Sequence, residues 1–206
     1  MDSSIIITFA IPLFFGLILI EFFYGVITKQ NNYRINDAIT SMSLGLISRF
    51  VPILGLGLQY VVYKAVAEHY NFNLLNGEEV WVWVTAFVLY DVCYYWMHRI
   101  HHEIKVFWAT HVVHHHGEEF NLSTALRQTS TGFLWKWVFF LPMFIIGIPP
   151  HIYVSVAGLN LVYQFWVHTE HIGRLGFLEY IFVTPSNHRV HHLSLIHISE
   201  PTRPLY

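Results

Sequence analysis

The sequence predicts an all-α integral-membrane protein: four to five transmembrane helices with a cytosolic, histidine-rich helical cap. Three observations point there. Of its 206 residues 54% are hydrophobic and only 12% charged, about half the roughly 25% charge of a soluble domain, so lipid is the expected solvent. The apolar residues gather in runs near the about 20 residues that a helix needs to cross a bilayer. Fifteen histidines interrupt this background in a few short segments. The net charge of -2 offers no basis for a nucleic-acid partner, and the single Cys93 cannot form an internal disulfide.

The first predicted span is Ile5–Ile27. It has no basic segment before it and no small-residue cleavage site after it, which argues against a removable signal peptide. Glu21 near its end is expected at the headgroup level or turned toward other helices, because a carboxylate facing lipid is costly. A polar connector, Lys29 to Asp37, carries Lys29 and Arg34. The apolar stretch Ala38–Ala67, interrupted by Arg49 and Pro52, exceeds one untilted span and reads as a tilted or broken helix. The connector Glu68–Glu79 contains three glutamates and no Lys or Arg. Val80–Trp96 is the next span and runs straight into the first histidines. Thr131–Gly147 and Ile152–Val167 read as a helical hairpin broken at Pro149 and Pro150.

Lys and Arg mark cytoplasmic connectors. The basic connector after the first span and the polar region holding Arg99, Lys105 and Arg127 are therefore assigned to the cytoplasmic side. The hairpin crosses twice and returns His168 to that side, with His188, His191 and His192 following. All the clustered histidines are thus expected on one face, a topology deduced without using them.

Seven of the nineteen residues from His98 to His116 are histidine. One group is His98, His101 and His102; a second is His111-Val-Val-His114-His115 with His116 appended; a third is His188-Arg-Val-His191-His192. A lone His168 ends Gln164-Phe-Trp-Val-His168. Residues three and four apart share a helix face, so each His-x-x-His-His sets three imidazoles side by side, and His98 can converge with His102. Neutral imidazole binds iron, zinc and copper well, and two ions would use about eight to ten such groups. Carboxylates, the commoner ligands of paired metals in helical bundles, are too sparse here.

Asp91, Tyr95 and His98 share a face, and ligand imidazoles usually donate their second N–H to a carboxylate or carbonyl. Asp91 is accordingly expected to orient a ligand histidine. His101 and His116 are read as supporting or solvated residues, and His69 and His151 as ordinary polar residues. The zinc-protease motif is absent, since Val106 stands where His102-Glu103 would need its second histidine. A metal transporter would place its ligands near the bilayer midplane, and a bis-histidine haem needs far fewer imidazoles.

The segments Asp91-Val-Cys-Tyr-Tyr-Trp-Met-His98-Arg99, Trp108-Ala-Thr-His111 to His115, and Asn121-Leu-Ser-Thr-Ala-Leu-Arg127-Gln128 together resemble the fatty-acid hydroxylase/sterol desaturase superfamily. So do Tyr163-Gln-Phe-Trp-Val-His168-Thr-Glu170 and Thr184-Pro-Ser-Asn-His188-Arg-Val-His-His192. The likeness runs from about Ile5 to His192 and is strongest to the members that cleave ether lipids. It implies a monooxygenase with two Fe ions on the cytosolic side (zinc can substitute in a preparation), held by His98, His102, His111, His114, His115, His168, His188, His191 and His192. Gln164 falls where related hydroxylases carry another histidine, and is a weak candidate ligand. Asn187 departs from the pattern, standing where a further histidine is usual.

The resemblance further implies O2 activation and hydroxylation of an unactivated C–H of a membrane lipid. The electron donor would be tetrahydropterin or a redox protein. The membrane would be the endoplasmic reticulum in a eukaryote or the inner membrane in a bacterium. A sterol or fatty-acyl hydroxylase or desaturase is the alternative enzyme, and a non-catalytic metal- or haem-binding membrane protein the alternative of another class.

After His192 the chain reads Leu193-Ser-Leu-Ile-His-Ile-Ser-Glu-Pro-Thr-Arg203-Pro-Leu-Tyr206, which resembles a translated sequencing-library adapter. Residues 1–192 are thus expected to form the membrane di-iron hydroxylase domain, lacking its natural C-terminal part. Residues 193–206, His197 included, are expected to be an artefactual tail.

Overall fold

A computed structural model describes residues 3–54, 58–75 and 77–193. Its regular elements are helical: α1 Ser3–Thr28, α2 Ile35–Leu54, α3 Leu58–His69, α4 Val80–Glu103, α5 Lys105–His115, α6 Leu141–Ile146, α7 Pro150–Trp166 and α8 Pro185–Leu193, with short 3-10 turns between α5 and α6 and before α8. Most of the expected tail, residues 194–206, lies outside the described residues.

Among the described residues two helices are long and apolar enough to cross a membrane, over Phe9–Thr28 and Val80–Glu103. Within the second apolar stretch α2 runs through Arg49 and Pro52 to Leu54 and α3 starts at Leu58, and residues 55–57 lie outside the described residues. The hairpin differs from expectation. Its first arm is not one α-helix but two 3-10 turns, Gly132–Leu134 and Lys136–Phe140, leading into the six-residue α6. Bulky aromatic and β-branched residues such as Trp135, Trp137, Val138 and Phe139 have weak helix propensity, and Pro142 supplies no amide hydrogen to the preceding turn. Gly147 closes α6 at φ 112°, a left-handed C-cap that favours glycine.

The chain forms two compact units. The first comprises the described residues of 3–9, 47–111 and 129–161. In it α4 packs on the 3-10 turn Lys136–Phe140 and on α6, and α3 packs on α6. Its core joins Val82, Ala86, Tyr90 and Met97 of α4 to Met143, Phe144, Ile148, Ile152 and Val156. The buried residues of α4 recur at steps of four and seven, as one helix face requires, while Trp81, Val84, Phe87, Val88 and Val92 stay exposed.

The second unit comprises residues 10–46, 112–128 and the described residues from 162 to 193. Its core runs along α1 through Ala10, Phe14 and Ile18 and includes Leu122 and Phe165, with the Phe14 and Phe165 rings stacked at 3.9 Å. Glu21 continues that stripe and is buried, so it faces the protein interior rather than lipid. On the opposite side of α1, Phe9, Leu13, Leu19, Ile20, Phe23 and Ile27 are exposed, which suits a lipid-facing surface. Gly45 lets α2 approach the 122–126 turn, for a Cβ there would stand 2.5 Å from the Leu126 carbonyl oxygen.

Candidate metal centre

Four histidines of the second unit converge. His114 comes from the last turn of α5, His168 from just beyond the end of α7, and His188 and His192 from α8. One ring nitrogen from each lies within 4.8 Å of all the others. α8 is set by its own start: Pro185 occupies its first turn, where a missing N–H costs nothing. Asn187 Oδ1 accepts from the Thr184 backbone N–H at 2.6 Å, and Ser186 Oγ donates to Glu179. Asn187 is thus a helix cap, which accounts for a residue other than histidine at that position.

Backbone carbonyls orient the rings. His168 Nδ1 donates to the Gln164 carbonyl at 2.7 Å, and His114 Nδ1 donates to the Arg127 carbonyl at 3.1 Å. A carbonyl only accepts, so both protons sit on Nδ1 and both Nε2 atoms present lone pairs. Those lone pairs face each other at 3.3 Å, and His188 Nε2 stands 3.0 Å from His168 Nε2. Buried His192 Nε2 has no hydrogen-bond partner among the described residues. Facing lone pairs repel one another unless a cation lies between them. Imidazole–metal bonds of about 2.0–2.1 Å in a tetrahedron place nitrogens about 3.3 Å apart, so this donor set fits a metal ion.

The set is desolvated. His168 is 4% exposed and Phe120, whose ring lies 5.2–6.3 Å from those of His168, His188 and His192, is 2% exposed. Burial lowers the His168 pKa to about 4. Burial, reinforced by the neighbouring histidines, holds His192 well below its ordinary value, and burial lowers His191 too. Neutral imidazole is the form that binds metal, so the environment keeps these ligands ready at neutral pH.

A buried ion pair steadies His114 from behind. Arg127 donates to Asp37 Oδ1 at 2.9 Å, to Ser41 at 3.3 Å and, through Nε, to the Val113 carbonyl at 2.9 Å. The Asp37 and Arg127 side chains are 10% and 9% exposed. The turn leading to Arg127 begins with a capping box in which Asn121 and Thr124 satisfy each other's backbone N–H groups.

In the first unit a second group forms from α4 and α5. The rings of His98, His102 and His111 stand 4.7–4.8 Å apart, each beside both others. In the second unit His115 lies 4.8 Å from His191 and 4.2 Å from His192. His111 and His115 are one turn apart on α5 and share its face.

The remaining candidates fall elsewhere. Asp91 is exposed and makes no hydrogen bond to any histidine among the described residues; on its face Arg99 bonds Tyr95 and Glu103 instead. The orienting part expected of Asp91 is taken by the carbonyls of Gln164 and Arg127. Gln164 contributes its backbone carbonyl to His168. His101 is buried with Nδ1 on the Met97 carbonyl, whereas His116 is exposed. His151 pairs with Glu78 and His69 with the Ala65 carbonyl. Asp37, Arg127 as an anchor, and Phe120 escaped sequence reasoning, for nothing in their spacing links them to a histidine.

Comparison with known proteins agrees with this geometry. The sequence profile of the fatty acid hydroxylase family matches residues 83–197, more than half of the chain and every clustered histidine. The chain belongs to the fatty acid hydroxylase family. It is 43% identical over 184 residues to alkylglycerol monooxygenase of Danio rerio and 42% identical over 184 residues to that of Homo sapiens, in each case 89% of this chain and 41% of the relative. The Caenorhabditis elegans alkylglycerol monooxygenase is 33% identical over 84% of this chain and 34% of its own length. The chain thus spans about two fifths of the length of these curated relatives. No solved structure matches it.

Proposed function

We propose that this chain is the metal-binding part of a lipid monooxygenase that hydroxylates a membrane lipid next to an ether oxygen. The observation that carries the reading is the convergence of His114, His168, His188 and His192, with two facing lone pairs, in a chain whose curated relatives are alkylglycerol monooxygenases.

In this reading one iron is held by His114, His168, His188 and His192. A second would be held by His98, His102 and His111 of the first unit, and His115 and His191 of the second unit are further candidate ligands. Bound iron supplies O2 activation and C–H oxidation. The chain supplies the rest. Carbonyls of Gln164 and Arg127 fix the tautomers of His168 and His114, and Phe120 keeps water from the buried imidazoles. The exposed apolar face of α1 holds the molecule in the lipid that presents the substrate. Inserting one oxygen atom beside an ether oxygen, with two electrons and two protons reducing the other to water, gives a hemiacetal that collapses to an aldehyde and an alcohol. Tetrahydropterin is the proposed electron donor.

The finer topology belongs to the same proposal: four to five spans and a cytosolic site, in the endoplasmic reticulum or a bacterial inner membrane. So does the adapter origin of residues 193–206, and with it a natural C-terminal continuation. The test is an assay of the full-length gene product, supplied with iron, O2 and tetrahydropterin, against an alkylglycerol, a sterol and an acyl lipid. Aldehyde release from the alkylglycerol is expected. Turnover of only the sterol or acyl lipid would move the reading to a sterol or fatty-acyl hydroxylase, and a metal-loaded protein inert on all three would refute it.

A further inference from the structure

The carboxylate of Glu21 lies about two turns from the end of the apolar helix α1 and is only 6% exposed. Ion pairing does not account for it, because its partners are all neutral. Tyr33 donates its hydroxyl to Oε2 at 2.5 Å, the Leu122 backbone N–H donates to the same oxygen at 2.8 Å, and the Thr169 hydroxyl donates to Oε1. Burial and the adjoining Glu21 charge raise the Tyr33 pKa far above its ordinary value, so the phenol stays protonated and remains a donor.

What these donors belong to is informative. Thr169 follows His168 directly, and its hydroxyl oxygen also accepts from the His171 N–H at 3.2 Å, bracing the turn that leaves α7. Leu122 lies two residues after Phe120, the ring that covers His168, His188 and His192. The Phe120 carbonyl accepts from Asn32, whose own carbonyl accepts from Asn121. One carboxylate therefore ties α1 to the two segments that form the wall and the central ligand of the four-histidine set.

We propose that Glu21 is a positioning residue for the four-histidine metal site, anchoring Thr169 and the Phe120 turn and thereby setting where the His168 imidazole stands. The inference rests on the metal-site reading above. Lost supporting hydrogen bonds at metal sites weaken metal binding by about 10–100-fold, and that is the scale expected here. A glutamate used only to brace the fold would change stability and leave affinity alone.

The experiment is a cobalt(II) titration of the purified chain in lipid nanodiscs, followed by visible absorption and metal analysis, with thermal unfolding measured alongside. Thr169→Val, which deletes only the bond to the residue beside His168, is expected to weaken one of the two cobalt sites about 10–100-fold. Tyr33→Phe, which removes a bond to the same carboxylate but not to that turn, is expected to lower the unfolding temperature and leave cobalt affinity unchanged. Glu21→Gln can donate to Thr169 and accept from Leu122, so it should retain most of the affinity that Glu21→Leu loses. Unchanged cobalt affinity in Thr169→Val, or equal loss in Thr169→Val and Tyr33→Phe, overturns the proposal while the metal site stands. Failure of the unsubstituted chain to bind cobalt refutes the metal reading and takes this inference with it.

Discussion

The two histidine groups of this chain are built in different ways. His98, His102 and His111 come from α4 and α5, consecutive helices separated by Ile104 alone. Their rings lie side by side through local spacing, and all three stay partly exposed. His114, His168, His188 and His192 come from three elements spread over almost eighty residues, and three of the four are buried. The first group shows what helix periodicity achieves unaided. The second depends on anchors outside it: two carbonyls, a buried ion pair, a capped α8 and a carboxylate on α1. The longer the chain between ligands, the more of the site's precision is carried by residues that never touch the ion.

The strongest way to break this contrast is to remove a central ligand. His168→Ala is expected to abolish the proposed monooxygenase activity in the full-length gene product and to cost the four-histidine site its ion. The His98 group should keep its own, halving the metal content read by elemental analysis. Loss of both ions would show that the two groups are not separable.

Arg127→Met tests the anchor behind His114. Removing one partner of a buried ion pair costs about 3–5 kcal/mol, here by leaving Asp37 buried without its cation. A lowered unfolding midpoint in detergent is expected, together with weaker metal binding because the carbonyl that orients His114 moves. Full stability with unaltered binding would show that α5 alone positions His114.

The pH dependence of the metal-free chain sharpens the contrast further. His168 binds its proton in the folded protein only near pH 4, against about 6.5 in an unfolded chain. Between these values the unfolded state holds more protons, so stability falls as pH drops from about 6.5 to about 4 and is recovered as pH rises. The full loss from this one group is about 3 kcal/mol, readable as a denaturation midpoint against pH. His168→Ala should flatten that dependence, and an unchanged slope would place its titration elsewhere.

The smallest expected effect is at Asn187. Deleting the cap of α8 by Asn187→Ala should cost about 1 kcal/mol, with at most a slight change in metal affinity, since α8 is also held by Ser186 on Glu179. A drop in affinity as large as that of a ligand substitution would instead mark Asn187 as part of the ligand set.

By itself the sequence determined the helical class, two apolar helices long enough to cross a membrane, and the histidine triplets. These are local: helix periodicity and bilayer thickness act on neighbouring residues, and a spacing of three or four means a shared face in any helix. The hairpin's first arm was misread because apolar composition records burial without distinguishing an α-helix from a run of 3-10 turns. Only the tertiary structure decided that His168 meets His114, that Arg127 and not Asp91 stands behind a ligand, and that Glu21 turns inward to hold Thr169. Each of those contacts joins residues 54 to 148 positions apart or depends on a backbone carbonyl, and neither long-range proximity nor carbonyl direction leaves a mark in the order of side chains.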